Sequence, residues 1–330
     1  MATIKDVAHL AGVAVSTASY ALSGDTKVSS KTKAKVLEAA KQLNYQKNGF
    51  AMDLKRTRTN TIALFLSDLS GPFYSELIKG VQDVSLSKGY DLIACSSVGG
   101  NDSTAIRFLK EKRVDGAIIF AHNIDDHVIL ESAREGFPII VLERGLVGEY
   151  LVNVTVDNEH GGFIATQHLI EQGHTEIGFV GGPANSFDSQ MRYVGFKKAL
   201  AANNLAEYAK WNVTGNFTRD SGYLATKMLL LQGELPSAIF YANDEMAIGG
   251  LKAFDEQRVR VPQDVSIIGF DDIALSEYVT PKLSTVRQPK YEVGTLAAHL
   301  LFQIVGGEFV NKQYKLSTEL VQRNSCMHKT

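Results

Sequence analysis

From Thr61 onward, short uninterrupted apolar runs alternate with longer amphipathic stretches, and this alternation restricts the fold more than any other feature of the chain. The runs are Thr61 to Leu66, Tyr90 to Cys95, Gly116 to Phe120 and Pro138 to Leu142. The pattern restarts at Glu176 to Val180 and continues with Ala238 to Tyr241 and Val265 to Ile268. A strand that is apolar along its whole length is buried on both faces, as in parallel sheets covered by helices on either side. The expectation is an α/β body. Two doubly wound parallel sheets suit about 270 residues better than one. Ligands bind at the carboxyl ends of such strands, so two lobes facing each other enclose a cleft there.

Composition narrows the setting. Of 330 residues, 45% are hydrophobic and 21% charged, the balance of an ordinary soluble protein. No run approaches ~18 uninterrupted apolar residues, so no membrane span is expected. Lys5 and Asp6 stand where the apolar part of a secretion signal would begin. Cys95 and Cys326 are too few for a disulfide framework. The expected location is the cytoplasm. The net charge of −2 conceals an asymmetry. Residues 1–60 carry ten Lys/Arg and four acids, a net +6; the remainder carries 24 basic and 32 acidic residues, a net −8. A basic head on an acidic body suggests contact with phosphate. Charge alone leaves a solvated basic face equally open.

The head decides between them. Thr3 with Asp6 three residues later reads as a helix start. Ile4, Val7, Ala8 and Ala11 form one apolar stripe, and Gly12 allows a tight turn. A second helix starts near Val15 or Ser16. Its Ala18, Ala21 and Leu22 face the first helix, whereas Ser16, Thr17, Ser19 and Tyr20 do not. Ser30 is expected to cap a third helix whose Val36, Leu37, Ala40 and Leu43 complete the core. This is the arithmetic of a helix-turn-helix, whose second helix presents its N-terminal residues to the major groove.

The stretch TIKDVAHLAGVAVSTASYALSG resembles the opening of the LacI/GalR family of bacterial transcription regulators, with Ala14, Ala18 and Ser23 as departures from the family pattern. The resemblance continues through the chain. It implies that Val15, Ser16 and Tyr20 meet base edges, with Val15 against a thymine methyl, while Thr17 and Ser19 hold phosphates. Tyr20 stands where many relatives carry Arg and cannot grip guanine bidentately. Lys27, Lys31 and Lys33 are phosphate contacts or simply solvated. Tyr45 to Asn48 resembles the family's step into a hinge helix, with Lys47 in place of Pro. Asn48 would cap that helix, and Ala51 and Leu54 would share one face. Leu54 is the candidate wedge between central base pairs. Met52 and Asp53 stand where Arg is common.

The resemblance also implies domain limits: 1–47 for the head, 48–60 for hinge helix and linker, and 61–330 for a body like periplasmic sugar-binding proteins. Within the body, a proximal lobe nearer DNA takes 61–158 and 290–320, and a distal lobe takes 159–289, with three crossings between them. Family correspondence places Arg192, Phe217, Asn243 and Asp271 in an effector pocket, with Phe73, Tyr74, His122 and Glu143 as further members. An aromatic face can stack on the apolar side of a sugar ring, while Arg, Asn and Asp match paired hydroxyls. Core packing for Phe217, a helix cap for Asp271 and a lobe-holding ion pair for Arg192 are the alternatives. Relatives that bind purines use similar positions.

Enzyme motifs are not found. No Gly-Lys-Ser/Thr follows Gly181-Gly182-Pro183, Glu245 beside Asp244 is no acid–base pair by itself, and His160, His168 and His174 lack tight metal spacing. No cofactor is expected beyond a small-molecule effector, a sugar or sugar derivative. Leu316 to Ser325 resembles the family's closing strand, and no leucine heptads follow, so the expected assembly is a homodimer on a pseudo-palindromic double-stranded operator. The helix Phe73 to Ser87 would supply part of its interface. The sequence thus reads as a sugar-responsive repressor. One rival is a catabolite-control-type regulator that binds a phosphorylated carrier protein beside Leu296 to Leu301, where His299 replaces the Arg such a surface calls for. The other is a plain sugar-binding or transport-associated protein, which the basic head opposes.

Overall fold

The computed structural model describes residues 2–46 and 58–329, apart from 24, 26 and 112, in two units, Met1–Thr59 and Asn60–Thr330. Asn48, Ala51 and Leu54 lie outside the described residues, as do Lys47, Met52 and Asp53.

The head holds three helices: α1 Ile4–Ala11, α2 Val15–Ser23 and α3 Ser30–Gln42. Thr3 starts α1 through a reciprocal box. Its hydroxyl accepts from Asp6 N at 3.4 Å while its own N–H donates to the Asp6 carboxylate at 2.8 Å. Gly12 ends α1 in the left-handed region at φ 64°. Val7, Ala8, Ala18, Ala21, Val36, Ala39 and Ala40 form the core, where small side chains let short helices cross closely. Two expectations need correction. The cap of α3 is Ser29, which accepts from Thr32 N, and Ser30 is already the first helical residue. Leu37 is 49% exposed, because the 36-39-40-43 stripe faces inward and position 37 points away from it. Thr3→Ala should cost about 1 kcal/mol, read as faster amide exchange across α1; unchanged exchange would remove the box from the head's stability.

The body contains two parallel sheets. The larger has the order β11 Gln313–Leu316, β5 Leu151–Val156, β4 Ile139–Leu142, β3 Ala117–Phe120, β1 Thr61–Leu66 and β2 Asp91–Ser96. The smaller has the order β7 Asn212–Thr214, β6 Ile177–Gly181, β8 Ala238–Tyr241 and β9 Ser266–Ile268. Burial on both faces explains the continuous apolar runs. In β1, Ile62, Leu64 and Leu66 pack under helices α4 Tyr74–Ser87 and α11 Lys290–Val305. Ala63 and Phe65 pack on the opposite face, under α5 Thr104–Lys110 and α6 Asp126–Ser132. The smaller sheet is covered by α7 Asn158–Glu171, α8 Phe187–Ala202, α9 Arg219–Leu230 and α10 Asp244–Glu256.

The described chain passes between the sheets three times: after β5, through β10 Thr285–Arg287, and between β11 and β12 Glu319–Val321. Strands β10 and β12 pair antiparallel at the crossing. Leu316 to Ser325 is therefore not one closing strand. The chain leaves the larger sheet after Leu316, and its end lies on the smaller lobe, where Ile267 N donates to Ser325 O at 2.8 Å.

Reciprocal glycines sit at three close helix crossings. A Cβ on Gly80 would lie 2.3 Å from Tyr291 O and one on Gly294 2.3 Å from Leu77 O, where α4 meets α11. At the α7–α8 crossing the distances are 2.1 Å from Gly162 to Arg192 O and 2.0 Å from Gly195 to Glu159 O. At α9–α10 they are 2.1 Å from Gly222 to Met246 O and 2.0 Å from Gly249 to Arg219 O. These helices touch backbone to backbone, which sets how the layers stack and where the strand ends point.

Candidate functional site

The carboxyl ends of the strands in both lobes border one cavity of about 1060 Å³. The larger lobe contributes Phe73, Tyr74, His122 and Glu143 to its wall; the smaller contributes Arg192, Phe217, Asn243 and Asp271. Phe73, Tyr74 and Phe120 form an aromatic cluster with centroid separations of 5.5, 5.6 and 5.9 Å. His122 is exposed, with Nδ1 2.8 Å from Ser67 Oγ. Such a wall offers a ligand an apolar surface on one side and charged, hydrogen-bonding groups on the other.

Arg192 anchors the polar side. Its side chain is 3% exposed. Nε donates to Asn158 Oδ1 at 2.9 Å and Nη1 to Ala242 O at 2.5 Å. Asp271 lies 3.6 Å from Nη1 and Asp188 3.5 Å from Nη2. The guanidinium carbon is 3.9 Å from the Phe270 ring centroid and 5.9 Å from that of Phe217. Such stacking suits a weakly hydrated planar cation.

The structure gives other residues different duties from those the sequence suggested. Asn243, not Asp271, is the helix cap: its Oδ1 accepts from Met246 N and its Nδ2 donates to Phe217 O, both at 3.0 Å. That second bond holds Phe217 at φ 68°, with its ring against Gly182, where a Cβ would come within 2.3 Å. Asp271 sits at φ 115°, a conformation that costs a non-glycine residue about 1–3 kcal/mol. It is held by Gln288 Nε2 on its carboxylate at 2.6 Å and by buried Lys290, whose ammonium donates to the Asp271 and Asp272 carbonyls at 2.5 and 3.1 Å. Burial raises the Asp271 carboxyl above its ordinary value, and the nearby Arg192 and Lys290 charges oppose that rise.

Sequence reading missed Asp188, Asn158, Gln288 and Lys290. Asp188 had a signal, since it lies four residues before Arg192 on one helix face. The others come from crossing segments, and only the three-dimensional path brings them to the site.

Glu143 is buried at the cleft wall and accepts from Val156 N at 2.7 Å and from Asn158 Nδ2. Burial first, and the Asp188 charge second, push its carboxyl from an ordinary 4.5 up to about 8. Between those values the folded protein holds a proton that the unfolded chain has lost. Glu143's contribution to stability therefore falls as pH rises from 4.5 to about 8, and levels off above. Glu143→Gln should show a shallower Tm-against-pH profile over that window; parallel profiles would exclude Glu143 as a source of the slope.

On the head, Val15 and Tyr20 are each 43% exposed, Ser16 and Ser19 are exposed, and Thr17 is half-buried. Lys27 Nζ sits 5.4 Å from the Tyr20 ring centroid, so Tyr20 is backed by a cation. Helix α2 thus presents a hydroxyl-rich face beside positive charge. His174, by contrast, is a packing residue, with ring nitrogens 3.1 Å from Ser237 Oγ and 3.1 Å from Met327 O.

Residues 3–48 match the family described as bacterial regulatory proteins, lacI family, and residues 166–326 match a periplasmic binding protein-like domain. The HTH-type transcriptional repressor PurR of Vibrio cholerae serotype O1 (strain M66-2) is 36% identical over 329 residues, 98% of each chain. The chain belongs to the lacI family. Two solved structures are similar over nearly the whole chain. The transcriptional regulator CelR–cellobiose complex has TM-score 0.75 and 31% identity, covering 98% of this chain and 100% of that one. The lac repressor dimer bound to operator and the anti-inducer ONPF has TM-score 0.80 and 28% identity, covering 99% of each. These relatives are regulators of transcription. Among the described residues no group of three or more His, Cys, Asp or Glu could hold a metal, and no helix is long and apolar enough to cross a membrane.

Proposed function

We propose that this lacI-family regulator is a homodimeric repressor that reads a pseudo-palindromic operator through α2 and responds to a polyol, a sugar or sugar derivative, held in the cleft. The observation that carries the reading is the cleft wall, where an aromatic cluster on the larger lobe faces buried Arg192 and strained Asp271 on the smaller one. The CelR relative, solved with cellobiose, points the same way. Val15, Ser16 and Tyr20 meet base edges, Thr17, Ser19 and Lys27 meet phosphate, and Asn48, Ala51 and Leu54 belong to the hinge. Ligand binding shifts the lobes only by the difference in its affinity for their open and closed arrangements. That shift reaches the operator through residues 48–60.

Selection of duplexes from a random pool by the full chain tests the first half. Enrichment of two-fold-symmetric sites supports it, and failure to enrich any duplex at low salt would revive the transport-associated reading. Leu54→Ala should weaken binding to the selected site far more than to random duplex; equal losses would remove the wedge role. Titration of sugars against the operator-bound complex tests the second half: a change in duplex affinity with a sugar supports it, and no change with any sugar overturns it.

The carrier-protein reading is weaker. A phosphorylated partner needs clustered cations, but the exposed positions of α11 include Tyr291, Glu292 and His299, while its sole Lys or Arg, Lys290, is buried.

A further inference from the structure

Three guanidinium groups line the cleft, and each is already engaged by the protein's own acceptors. Arg144 donates to Asp126 and, at 2.6 Å, to Ala121 O. Arg219 Nε donates to Glu245 at 2.8 Å. Arg192 has Nε and Nη1 on Asn158 and Ala242, its flat face on Phe270, and its remaining arm, Nη2, 3.5 Å from Asp188. No lysine is among the described residues lining the cavity.

Acceptors, by contrast, are left over. Glu245 Oε1 is buried without a hydrogen-bond partner, and Asp125, although at the start of α6, makes no capping bond. Both line the cleft. A hydroxyl entering this space can donate to exposed Asp125, and to Glu245 Oε1 once a small side-chain movement uncovers that oxygen. A phosphate brings chiefly acceptors and negative charge, and every guanidinium it meets here is already paired with a carboxylate.

Asp188 holds the decisive position. It lies in the first turn of α8, accepts from Ser186 Oγ, and keeps its side chain 17% exposed toward the cleft, against 6% for Asp271. It therefore covers the arm of Arg192 that an incoming anion would need.

We propose that the cleft admits uncharged, hydroxyl-bearing ligands and rejects their phosphorylated forms, and that Asp188 sets this selection by occupying the outer edge of Arg192. The proposal rests on the polyol reading above and deepens it by naming the charge class of the ligand.

The test is calorimetric titration of the full chain with ribose, glucose and cellobiose, each beside its phosphate ester, and with inorganic phosphate. The free sugar that binds should do so at least ~100-fold more tightly than its ester, ~2.7 kcal/mol, and inorganic phosphate should show no saturable binding. Asp188→Asn should narrow the sugar-to-ester ratio by ~10-fold or more, while Asp188→Glu, which keeps the charge, should preserve it. An ester that binds as tightly as its sugar, or saturable inorganic phosphate in the unaltered cleft, overturns the charge selection and leaves the polyol reading standing. An unchanged ratio in Asp188→Asn overturns the role of Asp188. Binding of an uncharged purine base with no response to any sugar sinks the polyol reading instead, and the inorganic phosphate titration then decides the charge rule by itself.

Discussion

Arg192→Ala is expected to abolish ligand binding in the cleft and to destabilise the body by about 3–5 kcal/mol, the range for removing one partner of a buried ionic network. The size of the effect follows from how much the side chain does while 3% exposed. Its loss leaves half-buried Asp188 and buried Asp271 without their shared cation, and Asn158 and Ala242 without their donor. Glu143 would be affected as well, because Asn158 donates to it and the Arg192 charge restrains its upward shift. Arg192→Lys should recover only part of the loss, since one ammonium cannot match Asn158, Ala242 and two carboxylates in a planar fork. Two measurements separate the effects: denaturant unfolding for stability, and titration calorimetry below the melting range for ligand affinity. Operator binding should persist under the same conditions. An Arg192→Ala protein that binds sugar with an unchanged Kd would remove Arg192 from the site.

Gly195→Ala should destabilise the smaller lobe by about 3 kcal/mol or more, at the upper end for overpacking. The added methyl would lie 2.0 Å from Glu159 O and 2.6 Å from Phe163 N. Both are backbone atoms of α7, so no side chain can swing aside, and α7 and α8 must move apart. Arg192 and Asp188 ride on α8 and Asn158 begins α7, so the separation should also spoil the cleft. Gly145→Ala, whose Cβ meets nothing within 4 Å, should leave stability nearly unchanged. Chemical denaturation of both variants checks the contrast; similar midpoints would mean that α7 and α8 yield easily.

Apolar continuity exposed β1, β2, β3, β4, β6, β8 and β9 in the sequence; all but β2 are largely buried and need no polar residues, whereas β2 is an edge strand with mostly exposed or half-buried side chains. The strands it did not expose break that continuity, although β5 is itself buried. Strand β5 carries Asn153, whose side chain bonds Leu146 at the chain's turn into the strand. Edge strand β11 alternates exposed and half-buried positions. Asn212–Thr214 is three residues long with no fully buried side chain. In the head, the period that buries Val36 and Ala40 also buries Ala39, while Leu37 is hydrophobic but out of phase with it and points to solvent.

The cleft shows the same division. All eight residues inferred for it lie on its wall: seven follow a strand end or start a helix, positions that βα patterning projects to one side of a parallel sheet, and Arg192 lies in the second turn of α8. Their partners were not legible. Lys290 and Gln288 reach Asp271 across a crossing between lobes, and Asn158 joins Glu143 to Arg192 from another. The sequence by itself determined the helix-turn-helix, the two-lobe α/β body and the family, because periodicity, caps and motif spacing are local and survive in one dimension. Only the tertiary structure decided which acid faces which cation and which glycines let helix backbones touch. Those depend on segments far apart in the chain meeting at distances of a few ångströms, and no local pattern encodes such a distance.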